Sequence, residues 1–525
     1  MGGCLGHNGG VASCRRGLRS PRQFEDVNED KWMGKLVLAL DLGTTGNRAI
    51  AFDAGLRPVA QAYAEFPQHF PRPGWVEHEP FEIWDSLVAC MRRVSREVDV
   101  ADVAAVAVTN QRETAVLWDG ETGRPVHNAI VWQCRRTAER CAELRAKHAE
   151  EVHRKTGLMI DAYFSATKIA WVLENVAAAR ALAEAGRLLF GTVDTWAVWN
   201  LTSGRVHATD PSNASRTLLY NIVEGRWDAG LVELFGAGGV RLPEVRPSLS
   251  VFGHTDKAAI GFEAPIAAVL GDQQAALFGQ GGFGPQNIKN TYGTGLFLLV
   301  NTGTRLALSD RLLTTVAWQK EGQPLQYALE GSVFVGGAAL QWLRDGLKII
   351  ESAGESEAMA RSLPDNEGVY FVPALVGLGA PHWDSSARGT FLGLTRSTRR
   401  EHLVRAALEA MAYQTRDVVE ALPPEVRSEI GVLQADGGAT ANDWLMQFQA
   451  DILGLPVERS AVAETTALGA AAAAGVAVGL WDEAEFLSRR QAGRVVLPQM
   501  PGRRVDALYA RWREAVSRAG GWAAL

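Results

Sequence analysis

Four short polar loops carry the side chains that chemistry on a phosphate group needs. They are residues 41–45 (Asp-Leu-Gly-Thr-Thr), 110–113 (Asn-Gln-Arg-Glu), 271–274 (Gly-Asp-Gln-Gln) and 292–295 (Tyr-Gly-Thr-Gly). Each follows a β-branched or apolar run of strand length. In open α/β sheets, ligands sit at the carboxyl ends of the strands, where such loops lie. The pattern predicts one site assembled from all four loops, in an enzyme that handles phosphate groups.

Three glycine-containing loops repeat one theme, at residues 41–45, 291–295 (Thr-Tyr-Gly-Thr-Gly) and 436–439 (Asp-Gly-Gly-Ala). Glycine lets the backbone approach a ligand closely, while threonine hydroxyls and exposed N–H groups donate to phosphate oxygens. Asp41, at a strand end, is suited to hold Mg²⁺ through its water shell. One such loop alone is more often an ordinary hairpin turn, but three in series, shared between two halves of the chain, favour a phosphate site. The sequence has no Gly-x-x-x-x-Gly-Lys-[Ser/Thr], which disfavours a P-loop NTPase.

Composition narrows the class of protein. With 525 residues, 47% hydrophobic and 21% charged, the chain is too long for a single core and predicts at least two domains. A net charge of −6 without basic clusters predicts small-molecule partners and no nucleic acid. Residues 465–481 are rich in Ala and Gly and fall short of the ~20 strongly apolar residues of a membrane span. We interpret them as a buried helix and expect no membrane insertion.

The cysteines and the first residues bear on where the protein works. The cysteines are odd in number and form no Cys-x-x-Cys pair, which fits a reducing cytoplasm; they are Cys4, Cys14, Cys90, Cys134 and Cys141. Residues 1–34 have no apolar segment of the secretory type. Their low hydrophobicity predicts a disordered extension, or a segment upstream of a start at Met33.

From residue 35 onward, strand-like and helix-like patterns alternate in two sets. The first set predicts strands at 36–42, 48–53, 103–108 and 267–270, and a helix whose apolar face is Phe81, Trp84, Leu87, Val88, Met91 and Val94. The second set follows the glycine-rich stretch 279–284 and predicts strands at 296–300 and 432–435, with helices around 338–343 and 403–418. The fold class is therefore predicted as α/β, with two halves that meet near residue 280.

The series of motifs resembles the glycerol kinases of the FGGY carbohydrate kinase family. The motifs are Asp-Leu-Gly-Thr-Thr-Gly-Asn-Arg at 41–48, Thr-Asn-Gln-Arg-Glu-Thr at 109–114, Ile-Val-Trp-Gln-Cys-Arg-Arg at 130–136, Gly-Thr-Val-Asp-Thr-Trp at 191–196, Gly-Asp-Gln-Gln at 271–274, Asn-Thr-Tyr-Gly-Thr-Gly at 290–295 and Asp-Gly-Gly at 436–438. Residues 163–171 and 389–409 are similar to the two signature regions of that family. The resemblance runs from about residue 35 to the C-terminus.

The resemblance implies two ribonuclease H-like domains of the actin and hexokinase ATPase type, at residues 35–280 and 281–525. ATP, Mg²⁺ and the polyol would lie in the cleft between them, with Asp41 as the metal residue. The residues implied to bind ATP on its phosphate side are Thr44, Thr45, Gly46, Arg48 and Thr294. Those implied to line its adenosine side are Gly337, Gln341, Gly438 and Asn442.

The resemblance also implies the acceptor, glycerol, and the product, sn-glycerol 3-phosphate. Arg112, Glu113, Tyr163, Asp272 and Gln273 would bind the hydroxyls, and Trp132 and Phe297 would flank the carbon chain. Asp272 is implied as the general base, accepting the proton of the terminal hydroxyl as it attacks the γ-phosphorus. The family commonly forms dimers or tetramers, so we expect a homo-oligomer.

Alternatives stay open at this point for single residues and for the whole chain. Arg112 and Glu113 also fit a surface ion pair, Asp272 a helix N-cap, and Trp132 and Phe297 core aromatics. The chain also fits a kinase for another polyol or ketose, such as xylulose or erythritol, or an actin-like ATPase without a polyol substrate.

The first glycine loop departs from the family pattern. Leu42 stands where glutamine is usual, and Gly46 and Asn47 stand where two serines are usual. We expect phosphate contact to persist through the Gly46 N–H and the Asn47 amide.

Overall fold

The computed structural model describes Gly2 and residues 34–523, and its first part is organised by a central sheet. The strands of this part are β1 (Leu36–Leu42), β2 (Gly46–Asp53), β3 (Pro58–Glu65), β4 (Glu77–His78), β5 (Val103–Asn110), β6 (Val116–Asp119), β7 (Ala129–Ile130), β8 (Leu188–Gly191), β9 (Ala208–Thr209), β10 (Tyr220–Asn221), β11 (Arg226–Trp227), β12 (Glu244–Val245), β13 (Gly253–His254) and β14 (Pro265–Gly271). The helices are α1 (Pro80–Val94), α2 (Ala138–Thr156), α3 (Ala166–Asn175), α4 (Ala177–Glu184), α5 (Val193–Leu201), α6 (Pro211–Ala214), α7 (Ala229–Phe235), α8 (Lys257–Ile260) and α9 (Asp272–Gly279).

A second set of elements follows residue 286. Its strands are β15 (Asn287–Tyr292), β16 (Leu296–Gly303), β17 (Leu313–Trp318), β18 (Gln326–Val333), β19 (Tyr370–Val372), β20 (Thr390–Leu392), β21 (Val432–Asp436), β22 (Val457–Arg459) and β23 (Arg494–Val496). Its helices are α10 (Ala338–Asp345), α11 (Glu355–Arg361), α12 (Arg400–Glu420), α13 (Pro424–Arg427), α14 (Asp443–Leu453), α15 (Thr465–Ala477), α16 (Glu483–Arg489) and α17 (Gly502–Ala519). The predicted strands and helices are confirmed, most of them one to four residues longer than the apolar runs alone suggested.

The two large sheets share the arrangement of five strands, β3-β2-β1-β5-β14 in one and β18-β16-β15-β21-β22 in the other. The first runs β3-β2-β1-β5-β14-β13 and the second β17-β18-β16-β15-β21-β22-β23. In each, three antiparallel strands (β1-β2-β3 and β15-β16-β18) are followed by strands added in parallel, β5 and β14 in one and β21 and β22 in the other. This duplication confirms the predicted fold of two ribonuclease H-like domains. The β1–β2 and β15–β16 turns are therefore equivalent loops of the two domains.

Helix α1 packs against β2 and β3, and its buried face differs in one residue from the prediction. Its buried face includes Ile83, Leu87 and Met91, spaced by four residues as one helical stripe requires. Trp84 lies at the edge of this stripe, and Phe81 is 40% exposed. The prediction that Phe81 belongs to the apolar face was wrong, because the burial centre of the helix falls on Ile83.

Helix α15 lies late in the chain but packs on the first sheet, against β1, β5 and β14, and on α9. The contact with α9 is very close: a β-carbon at Gly469 would lie 1.8 Å from the Ala275 carbonyl oxygen. Most of α15 is buried, which confirms the helix predicted over 465–481, although it ends at Ala477. It thereby supports α9, the helix that begins with Asp272.

Three predictions concern the N-terminal extension, membrane insertion and the domain boundary. The predicted disordered extension, residues 1–34, lies outside the described residues apart from Gly2 and Gly34, as do Cys4 and Cys14. Across residues 34–523, every helix is too short or too polar to cross a bilayer. The domain boundary near residue 280 falls in the connection between α9 and β15, and it stays a prediction.

Candidate active site

The turn between β1 and β2 forms one wall of the cleft and is tied to neighbouring loops. The Gly43 N–H donates to the Gly46 carbonyl (3.1 Å), which closes the turn. The Gln111 amide donates to the Gly43 carbonyl (3.0 Å). The Thr44 hydroxyl accepts from the indole N–H of Trp132 (3.0 Å). The predicted phosphate turn and the predicted polyol wall are thus in direct contact.

The departures from the family pattern in this turn point mostly away from the cleft. Leu42 is buried in the core. The Asn47 amide is also buried and donates to the Ile83 carbonyl (2.7 Å), so the prediction that it contacts phosphate was wrong. A β-carbon at Gly46 would lie 2.7 Å from the Tyr63 hydroxyl, because Tyr63 fills the space of a side chain there. Backbone N–H groups and the threonines, of which Thr45 is exposed, remain as donors.

Asp41 ends β1 in a strongly charged setting. Its burial raises its pKa to about 7; Arg48 opposes this effect, and the carboxylates of Asp272 and Glu464 add to it. Arg48 Nη1 lies 3.9 Å from the Asp41 carboxylate and 2.8 Å from that of Glu464. The three carboxylates therefore raise one another's proton affinity across the cleft, with Arg48 beside Asp41 and Glu464 and a second arginine, Arg112, beside Asp272.

Arg112 and Glu113 follow β5 and are both buried, each 2% exposed. Arg112 Nε lies 3.3 Å from Asp272 Oδ1 and 3.7 Å from Glu113 Oε1. Its Nη2 donates to the Tyr163 hydroxyl (3.4 Å). The alternative of a surface ion pair was wrong, because these groups converge inside the protein with the predicted base.

Asp272 is the first residue of α9, and its carboxylate opens to the cleft with 32% of the side chain exposed. Oδ1 accepts from the Gln273 N–H (2.7 Å). Among the hydrogen bonds of residues 34–523, none involves Oδ2. Burial raises the pKa of the Asp272 carboxyl. The positive charge of Arg112 acts in the opposite direction, and the negative charge of Glu113 adds to the effect of burial. Gly271, and not Asp272, is the N-cap of α9, so the Asp272 carboxylate does not serve as a helix cap.

Gln273 is held by a lysine that sequence reasoning missed. Lys289 Nζ donates to Gln273 Oε1, and it lies 3.5 Å from the Phe297 carbonyl. Lys289 is fully buried, which lowers its pKa. Because the Gln273 carbonyl oxygen is occupied, its NH₂ group is the part left to face a ligand. Lys289 lies in the middle of β15 and matches no functional motif, so the sequence alone did not identify it.

Three aromatic rings form a corner beside these polar groups. The Trp132 ring stands edge-on to Tyr163 (centroids 5.7 Å apart) and to Phe297 (6.3 Å). Trp132 and Phe297 are only partly buried, so they are not closed into a core. This geometry suits an apolar wall with polar groups at its edge.

A further pair of charged residues lies behind Arg112, and sequence reasoning missed both members. Glu330 of β18 accepts from Arg112 Nη1 (2.6 Å), and Arg216 Nε donates to Glu113 (2.7 Å). Both Glu330 and Arg216 are fully buried. The two arginines hold the pKa of Glu330 at about 2, against the effect of burial.

A cavity of about 430 Å³ opens beside the β15–β16 turn. Five predicted nucleotide residues line it together: Thr294, Gly337, Gln341, Gly438 and Asn442. Its wall also includes Leu340 and Leu408, which are apolar, and Ser356, whose hydroxyl accepts from the Asn442 amide (3.3 Å). These last three were not predicted, because only tertiary packing brings them to the cavity. The size and mixed lining suit a nucleoside.

The duplicated fold, the two equivalent glycine–threonine turns and the polar pocket between them define a two-domain phosphotransferase of the actin and hexokinase ATPase type. Comparison with known proteins is more specific. The models of the FGGY family of carbohydrate kinases match residues 36–279 with their N-terminal domain and 288–478 with their C-terminal domain. The chain belongs to the FGGY family of carbohydrate kinases.

Individual relatives are similar over nearly the whole chain. Glycerol kinase 2 of Thermotoga maritima and glycerol kinase of Symbiobacterium thermophilum are each 56% identical over 493 residues, which is 93% of this chain and 99% of the relative. The crystal structure of Plasmodium falciparum glycerol kinase with ADP has a TM-score of 0.85 at 35% identity, covering 92% of this chain and 98% of that one. Membership of a carbohydrate kinase family rules out the alternative of an actin-like ATPase without a sugar or polyol substrate.

Proposed function

We propose that the protein transfers the γ-phosphoryl group of ATP to a terminal hydroxyl of glycerol, giving sn-glycerol 3-phosphate and ADP. The observation that carries the proposal is the convergence of Arg112, Asp272 and Gln273 on one side of the cleft, next to an aromatic corner. The similarity to glycerol kinases over 93% of the chain supports the same substrate.

Glycerol is small, neutral and fully hydroxylated, so its recognition depends on paired hydrogen bonds. Arg112 and the Gln273 amide supply donors, and Glu113 and Asp272 supply acceptors. Tyr163 can do either. An analogue that lacks one hydroxyl leaves a buried partner unpaired, at a cost of about 1–3 kcal/mol. The Trp132 and Phe297 rings cover the C–H faces of the chain.

Asp272 acts as the general base in this proposal. As the glycerol oxygen forms its bond to the γ-phosphorus, its proton passes to the Asp272 carboxylate, at Oδ2. The bond from the γ-phosphorus to the bridging oxygen of ADP breaks in the same displacement, and ADP leaves with that electron pair. Most of the acceleration comes from positioning and charge stabilisation, because the base supplies only part of it.

The nucleotide would lie along the two equivalent turns. Thr44, Thr45, Gly46 and Arg48 would meet the phosphates from one domain and Thr294 from the other, and the cavity beside Gly438 would take the adenosine. When bound, Mg²⁺ neutralises phosphate charge. Asp41 would hold it through water, and a cation there relieves the repulsion among the Asp41, Asp272 and Glu464 carboxylates. Within the described residues, no cluster of three or more His, Cys, Asp or Glu forms a metal site, which fits Mg²⁺ bound mainly through the nucleotide.

We also infer a homo-oligomer in a reducing cytoplasm. The family resemblance supports the first. Cys90, Cys134 and Cys141 support the second, because all three are buried free thiols. Light scattering after size-exclusion chromatography tests the oligomer, and a single monomer peak would contradict it.

The experiment that tests the proposed reaction identifies the product. Purified protein with glycerol, ATP and Mg²⁺ is expected to yield one phosphomonoester, sn-glycerol 3-phosphate, as shown by ³¹P NMR and a stereospecific dehydrogenase. Inorganic phosphate as the only product would contradict the proposal. Removal of Mg²⁺ with EDTA is expected to abolish turnover, and added Mg²⁺ to restore it.

A further inference from the structure

We propose that Glu330 is a positioning residue that sets the orientation of Arg112 toward the acceptor, with Arg216 and Ser332 fixing Glu330 in turn. The inference rests on the proposed function, since it assigns the orientation of a group that binds the acceptor. Glu330 and Ser332 belong to the second domain, whereas Arg216 belongs to the first.

The contact between Glu330 and Arg112 is bidentate. Arg112 Nη1 donates to Oε2 (2.6 Å) and Nη2 to Oε1 (3.0 Å), so both oxygens engage the end of the guanidinium. A planar guanidinium held by two parallel hydrogen bonds has one fixed plane and one fixed rotation. Glu330 therefore determines which edge of Arg112 faces the cleft.

The remaining donors of Arg112 show which edge that is. Nη1 also donates to Gln274 Oε1 (3.3 Å), and Nη2 faces the Tyr163 hydroxyl (3.4 Å). The Nε atom lies 3.3 Å from Asp272 Oδ1, and none of the hydrogen bonds among residues 34–523 involves it. A ligand hydroxyl near Asp272 would thus meet the Nε–H edge of Arg112, and not the end of the guanidinium that Glu330 holds.

Glu330 is itself held by more partners than an ion pair needs. Its Oε1 also accepts from the Ser332 hydroxyl (2.8 Å) and from Arg216 Nη2 (3.1 Å). Arg216 Nε in turn donates to Glu113 Oε1 (2.7 Å), a second residue of the acceptor pocket. The chain of contacts joins both acceptor-pocket residues, Arg112 and Glu113, to one carboxylate.

Stability is a weak explanation for this cluster. Glu330 and Arg216 are 0% exposed, and burying charges costs a desolvation energy that their attraction often fails to recover. Arg216 Nη1 is buried without a hydrogen-bond partner, a further cost. This cluster lowers the stability of the fold and ends on two acceptor-pocket residues. Its role is therefore better explained as orienting Arg112 and Glu113.

The cluster also links the two domains. Glu330 lies on β18 of the seven-stranded sheet, whereas Arg112 follows β5 of the six-stranded sheet. The acceptor geometry of Arg112 is correct only when the two domains are in register at the base of the cleft. The second domain thereby contributes to acceptor binding as well as to nucleotide binding.

The test is the substitution Glu330→Gln, compared with Glu409→Gln. Glutamine keeps the size of Glu330 but places an NH₂ group against guanidinium donors, so Arg112 loses its orientation. We expect KM for glycerol to rise roughly 10- to 100-fold, with KM for ATP within about threefold of the unsubstituted enzyme. Glu409 is the matched control, because it is also buried and paired with an arginine, Arg405 (2.8 Å), inside the second domain. E409Q is expected to lower thermal stability and leave KM for glycerol unchanged.

Two outcomes would overturn the inference. One is a KM for glycerol within twofold of the unsubstituted value in folded E330Q. The other is an equal rise in both KM values, which would indicate general disruption. If E330Q does not fold, Ser332→Ala takes its place: it removes one hydrogen bond to Oε1, and an unchanged KM for glycerol would overturn the inference equally. Failure of the proposed function shows separately, as absence of glycerol turnover in the unsubstituted enzyme.

Discussion

The substitution Asp272→Asn isolates proton transfer from binding. Asp272 Oδ1 accepts from the Gln273 N–H (2.7 Å) and lies 3.3 Å from Arg112 Nε. The carbonyl oxygen of asparagine can keep both contacts, since the two side chains have the same shape. The second carboxylate oxygen becomes an NH₂ group, which cannot take a proton from the acceptor hydroxyl. The substitution therefore removes the base while leaving the start of α9 in place.

The expected loss follows from what a general base supplies. Such groups contribute roughly 10²- to 10⁴-fold to the rate, which corresponds to about 2.7–5.4 kcal/mol of activation free energy. Since Arg112 and Gln273 keep their positions, we expect kcat to fall by this factor, with KM for glycerol changed less than tenfold.

The assay measures kcat and KM by coupled ADP release, and glycerol binding by tryptophan fluorescence, because Trp132 borders the pocket. Asp256→Asn is the control: Asp256 caps α8, its Oδ1 accepts from the Ala258 N–H (2.8 Å), and it lies outside the pocket. Its kinetics are expected to match those of the unsubstituted enzyme. A kcat for Asp272→Asn within tenfold of the unsubstituted value would refute the assignment of the base.

Three further substitutions test the hold on Gln273, the contact between α9 and α15, and the burial of His78. Lys289→Met frees the Gln273 amide that Lys289 now holds, so kcat/KM for glycerol is expected to fall roughly 10- to 100-fold; an unchanged value would contradict the role given to Gln273. Gly469→Ala places a β-carbon 1.8 Å from the Ala275 carbonyl oxygen, and we expect denaturant unfolding to show a loss of about 1–3 kcal/mol or more; native stability would show that α9 and α15 are not so tightly packed. His78 is buried, which lowers its pKa to about 3. Below about pH 6.5 the unfolded chain therefore binds a proton at His78 that the folded chain does not bind. The free energy of unfolding is expected to fall as the pH drops from about 6.5 toward 3, by up to ~1.4 kcal/mol per pH unit. His78→Gln is expected to reduce that slope in unfolding curves at pH 7, 6 and 5, and an unaltered slope would assign the effect to other groups.

The sequence was sufficient for the elements whose pattern is local. The apolar run at 103–108 marked β5, although the strand continues to Asn110 because Leu42 and Asn110 pair in the parallel ladder. The loops at strand ends were predicted to meet, and Arg112, Asp272 and Tyr163 do lie together. The roles of these residues stay predictions until the substitutions are made.

Other features depend on packing that no local pattern carries. Glu330 and Lys289 sit inside strands, and only the meeting of two sheets gives each its partner. Asn47 looked available for phosphate because it follows the threonine turn. Its position in β2 instead directs it inward, toward the Ile83 carbonyl, since successive strand residues alternate between faces.

The proposed glycerol kinase reaction is tested most directly by the acceptor dependence of ADP release. Glycerol, xylulose, erythritol and no acceptor are compared at saturating ATP and Mg²⁺, with kcat/KM measured for each. The proposed reaction predicts that kcat/KM for glycerol exceeds that for the other two by at least about 10²-fold, because the additional polar groups of these longer acceptors would be buried without partners, at ~1–3 kcal/mol each. It also predicts negligible turnover without an acceptor. A higher kcat/KM for xylulose or erythritol, or turnover that does not depend on an acceptor, would contradict it.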